Sequence, residues 1–231
     1  MSAEIDRRKV LAAGMGIVLG APVVAGAAPR GRQIDPEEGV TAPEDLMKEH
    51  GVLNRCLLIY EEGLRRLHQK DEVPPVVFAH TAQLVRKFVE EYHEKNEENY
   101  IFPVFVKARK LTDLVETLKT QHKAGRLVTA EILRLSKPDA YRKDENRELL
   151  VLEINRFIRM YRPHEAREDT VLFPALRTIL TAKQVLSLGE RMEEAEQKVL
   201  GHEGFERSLD QVVALEKQLG ILDLKQFTPK P

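Results

Sequence analysis

The residues able to do chemistry occur in two matching stretches, HEKNEENYIFP from His93 to Pro103 and HEAREDTVLFP from His164 to Pro174. Both keep His, Glu, Glu, Phe and Pro in register, place an acid directly after the second Glu (Glu98, Asp169), and place a branched aliphatic before the Phe (Ile101, Leu172). In each, a Glu follows the His by four residues. On a helix that spacing turns the second side chain only about 40° from the first and lifts it one turn, so both point the same way. An imidazole and a carboxylate aimed at one spot form half of a metal site, and two halves are present.

The duplication reaches further back. His50 precedes His93 by 43 residues and His122 precedes His164 by 42. That separation is roughly a helix of 20-odd residues, a short turn and most of a returning helix. Each half reads as a helical hairpin with a lone His on its first helix and H-x-x-x-E on its second. Two such hairpins packed together bring His50, His93, Glu97, His122, His164 and Glu168 to the middle of a four-helix bundle, a recurrent place for metal sites.

A single His on an apolar stripe reads as ordinary core, but six such residues together do not. Burying two carboxylates without partners costs several kcal/mol each. Their stripes contain no Lys or Arg except Arg126, one turn beyond His122. A metal is the simplest compensation. Imidazole and carboxylate without thiolate suit Fe, Zn and Mn, and six ligands are too many for one tetrahedral zinc. Glu97 and Glu168, one from each half, are placed to bridge two ions, so a two-metal centre follows.

The elements that must hold these residues follow from apolar periodicity. Helix one begins near Thr41, with Pro43 in its first turn, and stripes Leu46, His50, Leu53, Leu57 and Leu64. Helix two runs from about Pro75 into the 99–103 region, through Leu84, Phe88, His93, Glu97 and Ile101. Helix three, about 111–136, carries Leu114, Leu118, His122 and Leu133; helix four, about 144–173, carries Leu150, Ile154, Phe157, His164, Glu168 and Leu172. Pro163, just before the fourth His, predicts a kink there. A charged amphipathic segment at 181–218, interrupted near Gly201 to Gly204, is expected across the outside of the bundle.

Residues 1–28 differ from the rest. Asp6-Arg7-Arg8-Lys9 precedes an apolar, Gly- and Ala-rich stretch with Ala25-Gly26-Ala27 as an A-x-A cleavage site, the three regions of an export signal. The paired arginines resemble the twin-arginine type. The expected organisation is export signal 1–28, linker 29–42, bundle plus C-terminal helix 43–218 and tail 219–231, in a periplasmic or extracellular protein with no stable membrane insertion after cleavage. A net charge of −1 gives no reason to expect nucleic acid, and the lone Cys56 excludes a disulfide framework and thiolate metal motifs.

The paired pattern H…H-x-x-x-E-[ED]-x-x-[LI]-F-P resembles the hemerythrin-like, or HHE cation-binding, family over about residues 43–218. The resemblance implies an all-α, up-down-up-down four-helix bundle around two non-haem irons joined by carboxylates and an oxygen atom. It makes His50, His93, Glu97, His122, His164 and Glu168 the ligands, with Glu97 and Glu168 bridging, and O2 or a similar small molecule the partner. An iron or redox-handling role, or an enzyme processing peroxide or nitric oxide, fits the same frame.

Two departures from the family's oxygen carriers stand out. Those carry a further His one turn from the third-helix His, where this chain has Leu118 and Arg126. They place the last carboxylate five residues after the fourth-helix His, which here is Asp169; Glu168 keeps the register of Glu97 and is chosen instead. An iron short of one imidazole holds an open or water-filled position, or takes another ligand such as Glu94. Arg126 is placed to steer an anion, or to snorkel to the surface. His68 and His80 read as surface groups, and His202-Glu203 lacks the second His of a protease motif. Tyr92, Phe157, Tyr161 and Cys56 read as core packing.

Overall fold

Four amphipathic helices joined by short turns bury their stripes only against one another, and in the structure, a computed structural model, they close into that bundle. It describes residues 41–229. The expected export signal and nearly all of the linker lie outside the described residues. No strand occurs among the described residues.

Helix α1 spans Ala42–His68. Thr41 caps it, and the Glu44 carboxylate accepts from the Thr41 backbone N–H at 3.1 Å, the reciprocal arrangement of a capping box. Arg65, Arg66 and His68 in its last turn complement the helix dipole. Helix α2 covers 75–108 and opens on Pro75, whose missing N–H is harmless in a first turn. Helix α3 is Thr112–Leu135, followed by a single turn at Pro138–Tyr141. Helix α4 covers 144–176. Two outer helices follow, α5 (Ala182–Val199) and α6 (Gly204–Leu219), separated where Gly201 adopts φ +79°.

Around the bundle, α1 packs on α2, α2 on α3, α3 on α4, and α4 back on α1; α5 and α6 lie on α1 and α2. This is the all-α architecture expected from the sequence, with the charged C-terminal segment on the outside.

Two of the four bundle helices are not uniform. In α2, Val85–His93 and Glu97–Ile101 widen to π geometry, and in α4 the same happens at Glu168–Leu172. Both motif copies therefore end in a π turn that starts at the second Glu and stops at Phe-Pro. Pro103 and Pro174 have no N–H, and their rings crowd the carbonyl four residues back. A wider turn relieves that crowding, and such turns gather at functional sites. Pro163, by contrast, lies within the α-helical stretch Asp144–Arg167. The departure from α geometry comes at 168–172, next to Pro174.

The core is in two pieces. One contains Leu53, Leu57, Phe88, Ile132, Ile154 and Phe157; the other contains Leu46, Phe102, Phe105, Leu118, Phe173 and Met192. Between them each of the four bundle helices contributes buried polar groups: Glu49 and His50 from α1, His93, Glu94 and Glu97 from α2, His122 from α3, and His164, Glu165 and Glu168 from α4. A polar layer crosses the bundle with an apolar plug on each side. Gly125 lets α3 approach α4 beside this layer, since a Cβ there would sit 2.8 Å from Tyr161 Cζ and closer still to the hydroxyl.

Candidate metal centre

The four imidazoles meet in two pairs. His50 Nε2 lies 3.1 Å from His93 Nε2, and His122 Nε2 lies 3.2 Å from His164 Nε2. Each pair joins the lone His of one hairpin to the motif His of that hairpin. The two glutamates connect the pairs. Glu97 Oε2 is 3.7 Å from His93 Nε2 and 3.4 Å from His122 Nε2, while Glu168 Oε2 is 3.1 Å from His164 Nε2 and 3.4 Å from His50 Nε2. All six residues are at most 4% exposed.

Every imidazole is also held from behind. His50 Nδ1 is 2.7 Å from Asp169 Oδ1, and His93 Nδ1 is 2.7 Å from Glu49 Oε2. His122 Nδ1 is 3.2 Å from Glu98 Oε1, and His164 Nδ1 is 2.9 Å from Gln121 Oε1. Each of those oxygens can accept a hydrogen bond, and a neutral ring that donates its Nδ1–H there turns its Nε2 lone pair inward. Phe173 stacks on His50 with centroids 5.7 Å apart, and Phe102 on His122 at 5.5 Å. The Phe of each Phe-Pro thus covers the lone imidazole of the other hairpin.

The hairpins correspond residue by residue. Glu49 stands to His93 as Gln121 stands to His164, and Asp169 to His50 as Glu98 to His122. Even the residue four after each lone His matches: Arg126 pairs with Glu94 at 2.7 Å, and Asn54 donates to Glu165. Glu94 and Glu165 each directly follow a motif His.

These donors fit a metal pair. Both oxygens of Glu97 and of Glu168 are buried with no hydrogen-bond partner among the described residues. Four inward lone pairs and two bare carboxylates repel one another unless a cation lies among them. Metal–nitrogen bonds of about 2.1 Å place neighbouring ligands roughly 3 Å apart, matching both imidazole pairs. Two ligand sets come within bonding reach of an ion, His50/His93/Glu97 and His122/His164/Glu97/Glu168.

The protonation balance of the protein groups alone reflects the same strain. Burial, with Glu168 beside it, holds the Glu97 carboxyl well above the usual carboxylate range. Burial works against ionising Glu168 too, but His164 and His50 overcome it and hold this carboxyl low. Two acids this dry and this close share one charge. Burial pushes His122 down to about 4 and His93 well below its ordinary value. Burial disfavours charging His50 as well, but the bond to Asp169 and the negative charge of nearby Glu168 outweigh it and raise this imidazole to about 10.

Glu168, not Asp169, lies among the Nε2 atoms; Asp169 backs His50 instead. Glu94 does not point at the imidazole pairs. Burial raises it to about 8, against the stabilising bonds from Tyr161 and Arg126. Glu94, Glu98 and His122 form a third set of closely spaced ligand atoms, but Arg126 already pairs with both carboxylates, at 2.7 and 2.6 Å. Arg126 is therefore neither a free surface group nor aimed into the centre.

Two tyrosines do more than pack. Tyr92 OH donates to Glu49 at 2.5 Å, and Tyr161 OH to Glu94 at 2.7 Å. His68, His80 and His202 are exposed, and Cys56 is buried, as the sequence implied. Reading the sequence missed Glu49 and Gln121 as the groups behind the motif imidazoles. The signal was available: each directly precedes a lone His, and the acids behind His50 and His122 directly follow the motif glutamates.

Comparison with known proteins agrees with this geometry. Residues 41–176 match the family described as the hemerythrin HHE cation binding domain. Similar over 195 residues, at 47% identity, are an uncharacterized protein of Mycobacterium bovis and two of Mycobacterium tuberculosis; the match covers 84% of this chain and 76% of each relative. No solved structure matches the chain.

Proposed function

This chain belongs to the hemerythrin HHE cation-binding family, and from that premise we propose that it is a non-haem di-iron protein that binds or senses O2 or a related small molecule. His50 and His93 would hold one iron and His122 and His164 the other, with Glu97 and Glu168 as the carboxylates shared between them. The observation that carries it is the convergence of four tied-back Nε2 atoms on two buried carboxylates that have no other partner among the described residues. Bound irons supply one-electron redox chemistry and a coordination position for a diatomic ligand.

The protein's own residues prepare that position. Asp169, Glu49, Glu98 and Gln121 fix the tautomer and the angle of each imidazole. Phe102 and Phe173 exclude water from one side of the layer, and Phe157 and Tyr161 from the other. With two imidazoles per ion and no further His beside His122, the donor set is leaner than that of the family's oxygen carriers, which favours sensing or iron and redox handling over reversible carriage.

Metal analysis and an absorption spectrum on protein purified without added metal test the reading. Two irons per chain and a charge-transfer band that changes on reduction and on exposure to air are expected, both diminished in His93→Ala. A chain that acquires no metal from iron-rich medium contradicts it. The same lean donor set favours a second reading, an enzyme processing peroxide or nitric oxide at an exchangeable coordination site. Steady turnover with a reductant selects that reading; stoichiometric consumption selects the first.

Export belongs to the proposal as well. It rests on Asp6-Arg7-Arg8-Lys9, the apolar stretch behind it and Ala25-Gly26-Ala27. Among the described residues no helix is long and apolar enough to cross a membrane. Replacing Arg7 and Arg8 by Lys should retain the protein in the cytoplasm; unchanged export of that variant contradicts a twin-arginine route.

A further inference from the structure

The correspondence between the hairpins fails in what stands behind the imidazoles, and the failure has a chemical consequence. Behind His93 stands the carboxylate of Glu49, 2% exposed and held on its other oxygen by Tyr92. Behind His164, in the matching place, stands the neutral amide of Gln121. The other two imidazoles are both backed by acids, but these acids differ as well. Glu98, behind His122, also pairs with Arg126 and with Lys95, each at 2.6 Å. Asp169, behind His50, has that imidazole as its only ion-pair contact among the described residues.

Both differences point the same way. The His50/His93 pair is backed by two carboxyl groups, neither paired with a Lys or Arg among the described residues and one of them deeply buried. The His122/His164 pair is backed by one amide and by one anion that two cations already offset. A carboxylate accepting the Nδ1 proton makes the imidazole a stronger electron donor, and an amide does so less. Uncompensated negative charge close to a buried ion favours its higher charge state.

Building on the di-iron reading above, we infer that the two iron positions are inequivalent: the His50/His93 position favours the ferric ion and the His122/His164 position the ferrous. In the half-reduced protein the added electron resides beside His122 and His164. A small ligand that requires ferrous iron is thereby directed to the half of the centre that lies next to Glu98 and Arg126. Glu49 and Gln121 touch neither iron nor ligand in this scheme. They are positioning residues, and their identity sets the order of reduction.

The test uses the full-length, iron-loaded protein and two substitutions, Glu49→Gln and Gln121→Glu. Iron content, the two one-electron potentials by spectroelectrochemical titration, and the Mössbauer spectrum of half-reduced 57Fe protein are measured for each. The wild type should show separate ferrous and ferric signals when half reduced. Glu49→Gln should raise the lower potential, Gln121→Glu should lower the upper one, and both should narrow the gap. A generally loosened site would not move the two potentials in opposite directions. If Glu49→Gln does not load, Gln121→Glu decides alone, by the direction in which its upper potential moves. Two irons per chain with potentials unmoved, or moved in the reverse sense, overturn the inference while leaving the di-iron reading intact. Fewer than two irons in the wild type overturn the di-iron reading itself.

Discussion

Replacing Glu97 by Gln should stabilise the metal-free protein and weaken the metal-loaded one. Glu97 is fully buried, and neither carboxylate oxygen has a partner among the described residues. Burial, with Glu168 alongside, holds its carboxyl well above the usual range, so folding requires it to keep a proton that the unfolded chain releases. Below about pH 4.3 Glu97 is protonated in both states and the substitution is nearly neutral. As pH rises, each further unit over which the folded chain alone keeps its proton costs about 1.4 kcal/mol. The wild type therefore loses stability with rising pH where the Gln variant does not.

At pH 6, about 1.7 units above the carboxyl pKa of the unfolded chain, that linkage cost is about 2 kcal/mol, and the Gln variant escapes it. A gain of about 2 kcal/mol raises Tm by roughly 4–8 °C in a chain of this size. With metal bound the sign reverses. A hundredfold loss of affinity removes about 2.7 kcal/mol of linked stability. The assay is thermal and urea unfolding of both proteins from pH 5 to 8, chelated and iron-loaded. A metal-free Glu97→Gln protein less stable than wild type, or a difference that does not grow with pH, refutes the reasoning.

Three other perturbations follow from particular contacts. Gly125→Ala drives a methyl group into Tyr161, 2.8 Å from Cζ, and should destabilise by about 1–3 kcal/mol in urea unfolding, the range for overpacked cores; an unchanged midpoint contradicts the close approach of α3 and α4. Glu98→Ala leaves all six candidate ligands in place but removes the group behind His122. Competition against a chelator should show metal affinity lowered about 10–100-fold, and an unaltered affinity would speak against any tuning by this group. Arg55→Met strands the buried Glu216, to which Arg55 donates at 2.8 Å. It should cost about 1–3 kcal/mol, discounted because Arg55 is 30% exposed. Arg55→Met with Glu216→Met should recover most of that loss, and no recovery would mean the pair does not dock α6 on α1.

The bundle was legible because periodicity and duplication agree. Leu46, His50, Leu53 and Leu57 share one stripe, and the 42- and 43-residue spacings force hairpins. The six residues at the centre were legible because the same side chains recur at the same spacing in both halves. The π turns were not. The two that close the motif copies answer Pro103 and Pro174, and whether a helix meets a proline by kinking, ending or widening depends on packing around it; Val85–His93 widens with no proline directly after it. The groups behind the imidazoles were only half legible. Glu98 and Asp169 stood out as repeated acids, but sequence spacing alone does not say that they reach across to the other hairpin. Glu49 and Gln121 lie outside the duplicated motif and off the apolar stripes, and what their side chains reach is decided only when the helices pack.

Anomalous diffraction at the iron absorption edge, from crystals of protein purified without added metal, tests the central claim most directly. The account predicts two peaks per chain, one between His50 and His93 and one between His122 and His164, both flanked by Glu97 and Glu168. A single peak, peaks elsewhere, or none in protein grown with abundant iron would contradict it.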